Sequence, residues 1–253
     1  MSEPLSASPA LDEEVARAEL YGLLAALYYA PPSAELLARL RVAVTEAPAA
    51  GGFLEAPWRA LVGAARAQDD AAVAAEYEAL FGGVGKPEVY LYGSHYLSGF
   101  LNEKPLARLR ADLAALGLTR DEAMPETEDH IAYLCEVMRY LIAGDGPPLA
   151  SDSPPGGQRS VGAHSSAGDG PPLASDSPPG GQRSVGAHSS ASKDAALAKL
   201  AQQQKFFSTH VQPWLGALCA AIAAHPRARF YAALAGFTQA FVGVETQGFD
   251  LLA

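Results

Sequence analysis

A 24-residue segment, GDGPPLASDSPPGGQRSVGAHSSA, occupies residues 144–167 and recurs letter for letter at 168–191. A period of this length is compatible with a stacked solenoid. However, each copy is built from Pro, Gly and Ser and has almost nothing apolar to bury against a neighbouring copy. Such a segment cannot offset its own ordering entropy, so it is expected to be a disordered linker. His164 and His188 belong to the repeat and are not credible ligands. The fold must therefore come from what lies on either side, residues 11–143 and 192–253, with 1–10 expected to be a disordered N-terminus.

Both flanking regions read as helical. The chain holds only three isoleucines and few threonines, whereas Ala and Leu abound. β-Branched residues favour strands, and Ala and Leu favour helices. The expected class is all-α, a single bundle of roughly nine or ten helices. Apolar spacing places helices over Leu11–Tyr29 (ended by Pro31-Pro32), from the Ser33 cap to about Ala47, over Pro57–Ala67 and over Asp70–Phe81. An aromatic loop follows, Glu88–Tyr96, punctuated by Pro87 and Gly93. Leu106, Leu109, Leu113 and Leu116 form a stripe that Gly117 ends. Another, Ile131 to Ile142, is expected to open at Asp129 and His130. Beyond the repeat, Lys193–His210 is followed by a kink or restart at Pro213, and Pro226 is expected to start a last helix that frays near Gly248.

The formal net charge of −10 argues against binding nucleic acid and suits a basic partner. Cys135 and Cys219 sit in apolar helical patterns, which argues against a disulfide framework or a cysteine zinc site. No secretory signal is visible at Met1–Pro4, and no apolar run reaches the ~20 residues that span a bilayer, so a cytoplasmic protein without stable membrane insertion is expected.

Two clusters carry the candidate chemistry. The segment Glu126-Thr127-Glu128-Asp129-His130 puts three acids at a helix start. Their plain role is capping, since carboxylates near a helix N-terminus meet free N–H groups. A metal could use Glu126 and His130, four residues apart, but a stable site needs three or four ligands and no second pair appears. There is no nucleophile elbow and no phosphate-binding loop, so no catalytic residue, metal or cofactor is assigned. The second cluster, Tyr90, Tyr92 and Tyr96, is either a satellite core or a docking face for an apolar segment.

Glu76-Tyr77-x-x-Leu80-Phe81, Pro87, Tyr92-x-Ser94-x-Tyr96 and Asp129-His130-Ile131-Ala132 with Glu136 and Met138 resemble, in that order, the TorD/DmsD/NarJ family of cytoplasmic chaperones for twin-arginine-exported molybdoenzymes. Phe206-Phe207-x-x-His210-x-x-x-Trp214 and Phe230-Tyr231-x-x-Leu234 extend the likeness. Thr127 and the position of Pro125 depart from the family's Glu-Pro before Asp-His, and Tyr90 and Tyr92 stand where some members carry Trp. The resemblance implies a non-enzymatic helical bundle that binds the signal peptide of a molybdenum-containing oxidoreductase precursor and assists cofactor insertion before export. It implies a monomer or a dimer that exchanges the part beyond the linker. Carried onto this chain, Asp129, Glu126 and Glu128 would pair with arginines of the peptide, and Phe81, Pro87, Tyr90, Tyr92, Ser94, Tyr96 and His130 would complete the site. The alternatives are an assembly factor for a non-exported nitrate reductase-type subunit, or a metal-dependent helical enzyme.

Overall fold

The computed structural model describes residues 9–45, 54–82, 86–99, 101, 104–120, 124–144 and 187–251. Residues 1–8 and 145–186, most of the expected disordered terminus and linker, lie outside them. Ten α-helices occupy the described residues, with no named strand among them: α1 Pro9–Tyr29, α2 Ala34–Val42, α3 Glu55–Ala67, α4 Asp70–Leu80, α5 Gly93–Ser98, α6 Lys104–Ala115, α7 Ile131–Ala143, α8 Ala187–Phe206, α9 Gln212–Ala224 and α10 Phe230–Asp250. The expected all-α bundle is observed.

Helices α1 and α7 share the most extensive packing, and α10 lies against α9, α3 and α4. The core runs through all of them, from Leu24, Leu27 and Tyr28 through Leu134 and Met138 to Trp214, Phe230 and Phe237. The hydroxyls of its tyrosines are all spoken for, as burial of a polar tip requires. Tyr21 donates to Glu245 at 3.0 Å, Tyr28 shares a 3.0 Å bond with Thr238, and Tyr77 donates to the Tyr29 carbonyl at 2.9 Å. Arg17 meets the Glu245 carboxylate with two nitrogens at 2.7 and 2.8 Å, joining α1 to α10.

Several boundaries differ from the sequence reading. Helix α1 begins at Pro9 instead of Leu11, because proline suits the first helical position. Helix α2 stops at Val42, short of Ala47: Arg66 of α3 donates to the carbonyls of Arg41 and Ala43 and so satisfies the end of the helix there. The supposed loop around Gly93 is helical from Gly93 to Ser98. The last five residues of the second repeat, 187–191, belong to α8, which runs on through a π-helical turn, Phe207–Val211, into α9. In that turn Gln212 N–H bonds to the Phe207 carbonyl, five residues back. The wider turn lets the chain continue into Pro213, whose ring would clash with the carbonyl four residues back in an α-helix.

The last helix starts at Phe230 and not at Pro226. Its free N–H groups are taken by a residue of another helix. The buried Glu76 carboxylate of α4 accepts from Arg229 N–H at 2.7 Å, Phe230 N–H at 3.1 Å and Tyr231 N–H at 2.8 Å. A carboxylate at the positive end of a helix dipole is stabilising, and here it fastens the two halves of the chain together.

Candidate functional site

The aromatic segment and the acidic segment meet. Tyr92 and His130 form an isolated antiparallel bridge. Gly93 N–H donates to the Asp129 carbonyl at 3.0 Å, and Ile131 N–H to the Leu91 carbonyl at 2.9 Å. This main-chain clasp holds residues 91–93 against 129–131, immediately before α7.

The clasp assigns the three acids different environments. Asp129 is buried, with one oxygen accepting Ser94 N–H at 2.8 Å and the other the Thr127 hydroxyl at 2.6 Å. Glu128 takes a two-pronged contact from Arg110 of α6, both bonds at 2.9 Å. Partial burial opposes charge on Glu128, but the Arg110 bonds prevail and lower its pKa. Glu126 accepts the Tyr92 hydroxyl through Oε2 and has no cationic partner among the described residues.

None of the three acids caps α7 directly. His130 does so, its Nδ1 accepting Ala132 N–H at 3.2 Å. The expectation that the helix opens at Asp129 is therefore corrected: Asp129 supports the preceding turn, and the imidazole supplies the cap. The cap works because the ring is neutral; burial pushes its pKa down to about 4, against a smaller upward pull from Asp129.

The aromatic residues divide in the same way. Tyr96 of α5 stacks on Trp214, centroids 5.6 Å apart, and donates to the Tyr90 carbonyl at 2.9 Å. Tyr90 stacks on His95 at 4.1 Å. Phe81 packs edge-on against Tyr77 and Tyr231. Pro87 is partly buried in the approach to the clasp. Tyr92 meets the edge of His130 at 5.2 Å. Two further rings, absent from the residues singled out in the sequence, complete this group: Tyr29 at the end of α1 and Tyr133 of α7, which lie 5.9 Å from each other and 6.4 and 5.8 Å from His130. Tyr133 sits three residues beyond His130 on one helix face, a spacing that could have revealed it. Tyr29 comes from distant sequence, and only the fold brings it in.

On the far side of Asp129 a cleft of about 520 Å³ opens between α5, α6 and the π-helical turn, lined by Leu97, Lys104, Arg108, His210 and Trp214. Ser94 contributes a buried hydroxyl with no hydrogen-bond partner among the described residues. His210, which lines this cleft, meets Asp112 of α6 at 2.8 Å, and Trp214 donates to the His210 carbonyl at 2.7 Å.

Among the described residues, no group of three His, Cys, Asp or Glu could hold a metal ion, and no helix is long and apolar enough to cross a membrane. Both cysteines are buried; burial raises the Cys135 thiol and pushes Cys219 up to about 12, away from nucleophilic use.

Residues 49–159 match the family described as nitrate reductase delta subunit, a stretch that holds α3 to α7, the clasp and all three acids. The match supports the NarJ/TorD-type chaperone family that the motifs resemble. That family assists molybdoenzyme assembly and is not enzymatic. No match is found among curated proteins.

Proposed function

We infer, from the match of residues 49–159 to a family of molybdoenzyme assembly chaperones, that this protein holds the twin-arginine signal peptide of a molybdoenzyme precursor in the cytoplasm while the cofactor is inserted. The observation that carries the reading is the clasp: it brings Tyr92 to Glu126, a carboxylate next to a partly buried ring, with Tyr90 two residues before it in the same segment. A signal peptide with arginines followed by an apolar stretch has the complementary order. Arginine suits a carboxylate, and tyrosine offers an apolar body with a polar tip. In this reading Asp129, Ser94, Tyr96 and His130 position the loop. Glu126, Tyr90 and Tyr92 touch the peptide, with Phe81 and Pro87 backing them, and Glu128 reaches it only by releasing Arg110.

The description of the matched family favours a second reading, assembly of a nitrate reductase-type subunit that is not exported. Calorimetry with a synthetic peptide carrying two consecutive arginines and an apolar run, against the same peptide with both arginines replaced by glutamine, separates the two. The export reading expects saturable binding of the first and at least about tenfold weaker binding of the second. Equal or absent binding of both peptides overturns it in favour of a client recognised without arginines.

A further inference from the structure

We propose that the cleft between α5, α6 and the π-helical turn is a docking site for an acidic segment of a partner protein, in which a carboxylate side chain flanked by apolar residues pairs with Lys104 and Arg108. The site goes beyond the signal-peptide reading and does not depend on it. The charge it takes is opposite in sign, and neither Lys104 nor Arg108 has a part in that reading.

Four observations lead to it. First, Lys104 and Arg108 stand one helical turn apart on α6, both exposed and both lining the cleft, and neither has a hydrogen-bond or ion-pair partner among the described residues. Arg110, two residues on, is held by Glu128. Like charges at this helical spacing repel, so an anion set between them relieves a cost already present. Second, the positive charge reaches the opposite wall. Burial does most to lower the His210 pKa, Asp112 opposes it, and the charges of Arg108 and Lys205 lower it further. Third, the wall holds hydroxyls that a carboxylate could use. Ser94 is only 1% exposed and its hydroxyl has no partner among the described residues, which costs free energy until a bond is made. The π-helical turn brings Ser208 and Thr209 to the same cleft, and such turns are frequent at functional sites. Fourth, Leu97, Pro105, Pro213 and Trp214 make the rest of the lining apolar, so the ligand must bring apolar surface with its charge.

The main chain selects a carboxylate over a phosphate. Phosphate sites draw on free N–H groups at a helix start. At the start of α5 these are spent: Gly93 N–H donates to the Asp129 carbonyl at 3.0 Å, and Ser94 N–H to the Asp129 carboxylate at 2.8 Å. Asp129 itself lines the cleft and opposes a doubly charged group more than a singly charged one. A glutamate or aspartate among apolar neighbours meets these conditions.

The test titrates three probes against the full chain by calorimetry: an acetylated, amidated peptide with two glutamates set among leucines and serines, the same peptide with glutamine for glutamate, and inorganic pyrophosphate. The glutamate peptide should bind saturably, with affinity falling as salt rises, and the glutamine peptide should bind at least about fivefold more weakly. Lys104→Gln and Arg108→Gln should each weaken the glutamate peptide by about threefold or more. Both side chains are exposed and unpaired, so these variants should melt like the wild type. They should also leave the affinity for a peptide with two consecutive arginines unchanged, which separates failure of this site from failure of the signal-peptide reading. Absence of saturable binding by the glutamate peptide, equal affinity for the glutamine peptide, or full affinity retained when Lys104→Gln and Arg108→Gln are combined overturns the proposal. Pyrophosphate binding tighter than that of the glutamate peptide, and lost in the combined variant, overturns it in favour of a phosphate-bearing ligand.

Discussion

The Glu76 carboxylate of α4 accepts the backbone N–H of Tyr231 at 2.8 Å, so that α10 is capped by a residue 155 positions away in the chain. A cap of this kind gives no signal near the helix it serves. Glu76→Ala strands three N–H groups in the core and should cost about 3 kcal/mol in urea unfolding, whereas Glu76→Gln, retaining an oxygen, should cost about half as much. Equal and small losses would mean that other groups cap α10.

The neutral His130 cap makes stability depend on pH. The folded pKa, about 4, lies below the ordinary value of 6.5, so the unfolded chain takes up the proton first. The contribution is fully present above pH 6.5 and is lost as pH falls toward 4, amounting to about 3 kcal/mol over that window. His210, also lowered by burial against a smaller upward pull from Asp112, acts in the same direction. His130→Asn keeps a capping acceptor without the titration. Its stability should fall less steeply between pH 6.5 and 4 in denaturant titrations, and an unchanged slope would assign the dependence to His210 and the carboxylates.

Gly93 opens α5 with its backbone against the Trp214 indole. An added Cβ would lie 3.0 Å from two indole atoms, closer than side chains ordinarily pack. Gly93→Ala should therefore destabilise by about 1–3 kcal/mol, the cost of overpacking, and should disturb the clasp through its N–H bond to Asp129. A melting temperature equal to the wild type would show that Trp214 gives way freely.

The acids should separate by their readouts. Asp129→Asn loses charged internal bonds and should lower stability by about 1–3 kcal/mol, with any peptide effect following from that loss. Glu126→Gln should leave melting nearly unchanged and weaken the salt-dependent part of peptide binding. Tyr90→Ala should cost about 1–2 kcal/mol of peptide affinity with little dependence on salt. Parallel melting and calorimetry at two salt concentrations would check all three. An early-melting Tyr90→Ala with normal affinity would make that ring part of the core.

The two repeats are identical, so removing either 144–167 or 168–191 yields the same protein and leaves the start of α8 intact. Closure cost changes by about 0.6 kcal/mol per doubling of loop length, so the melting point should move by only a few degrees. A fall beyond about ten degrees would contradict the linker reading, and sizing columns would show whether the shorter hinge favours exchange of the C-terminal helices.

What was legible in the sequence was the periodic part. The Leu106–Leu113 stripe became α6, ended by Gly117 at φ 72°, and the Ile131–Ile142 stripe became the buried face of α7. Both signals lie within one helix. The parts that escaped depend on contacts between distant segments: Arg66 ending α2, Glu76 starting α10, and Tyr29 reaching His130. The acidic run Glu126–Asp129 was visible as composition, but its division into one open, one paired and one buried carboxylate was not. Arg110 and the Ser94 amide, which decide it, come from α6 and α5.

The join between loop and helix start is made by amides and carbonyls of residues 91, 93, 129 and 131. Main-chain groups are the same whatever side chain they carry. The rings at positions 90 and 92 are therefore free to be exchanged for larger or smaller ones without removing these bonds, so the surface they form can vary while the attachment beneath it stays the same.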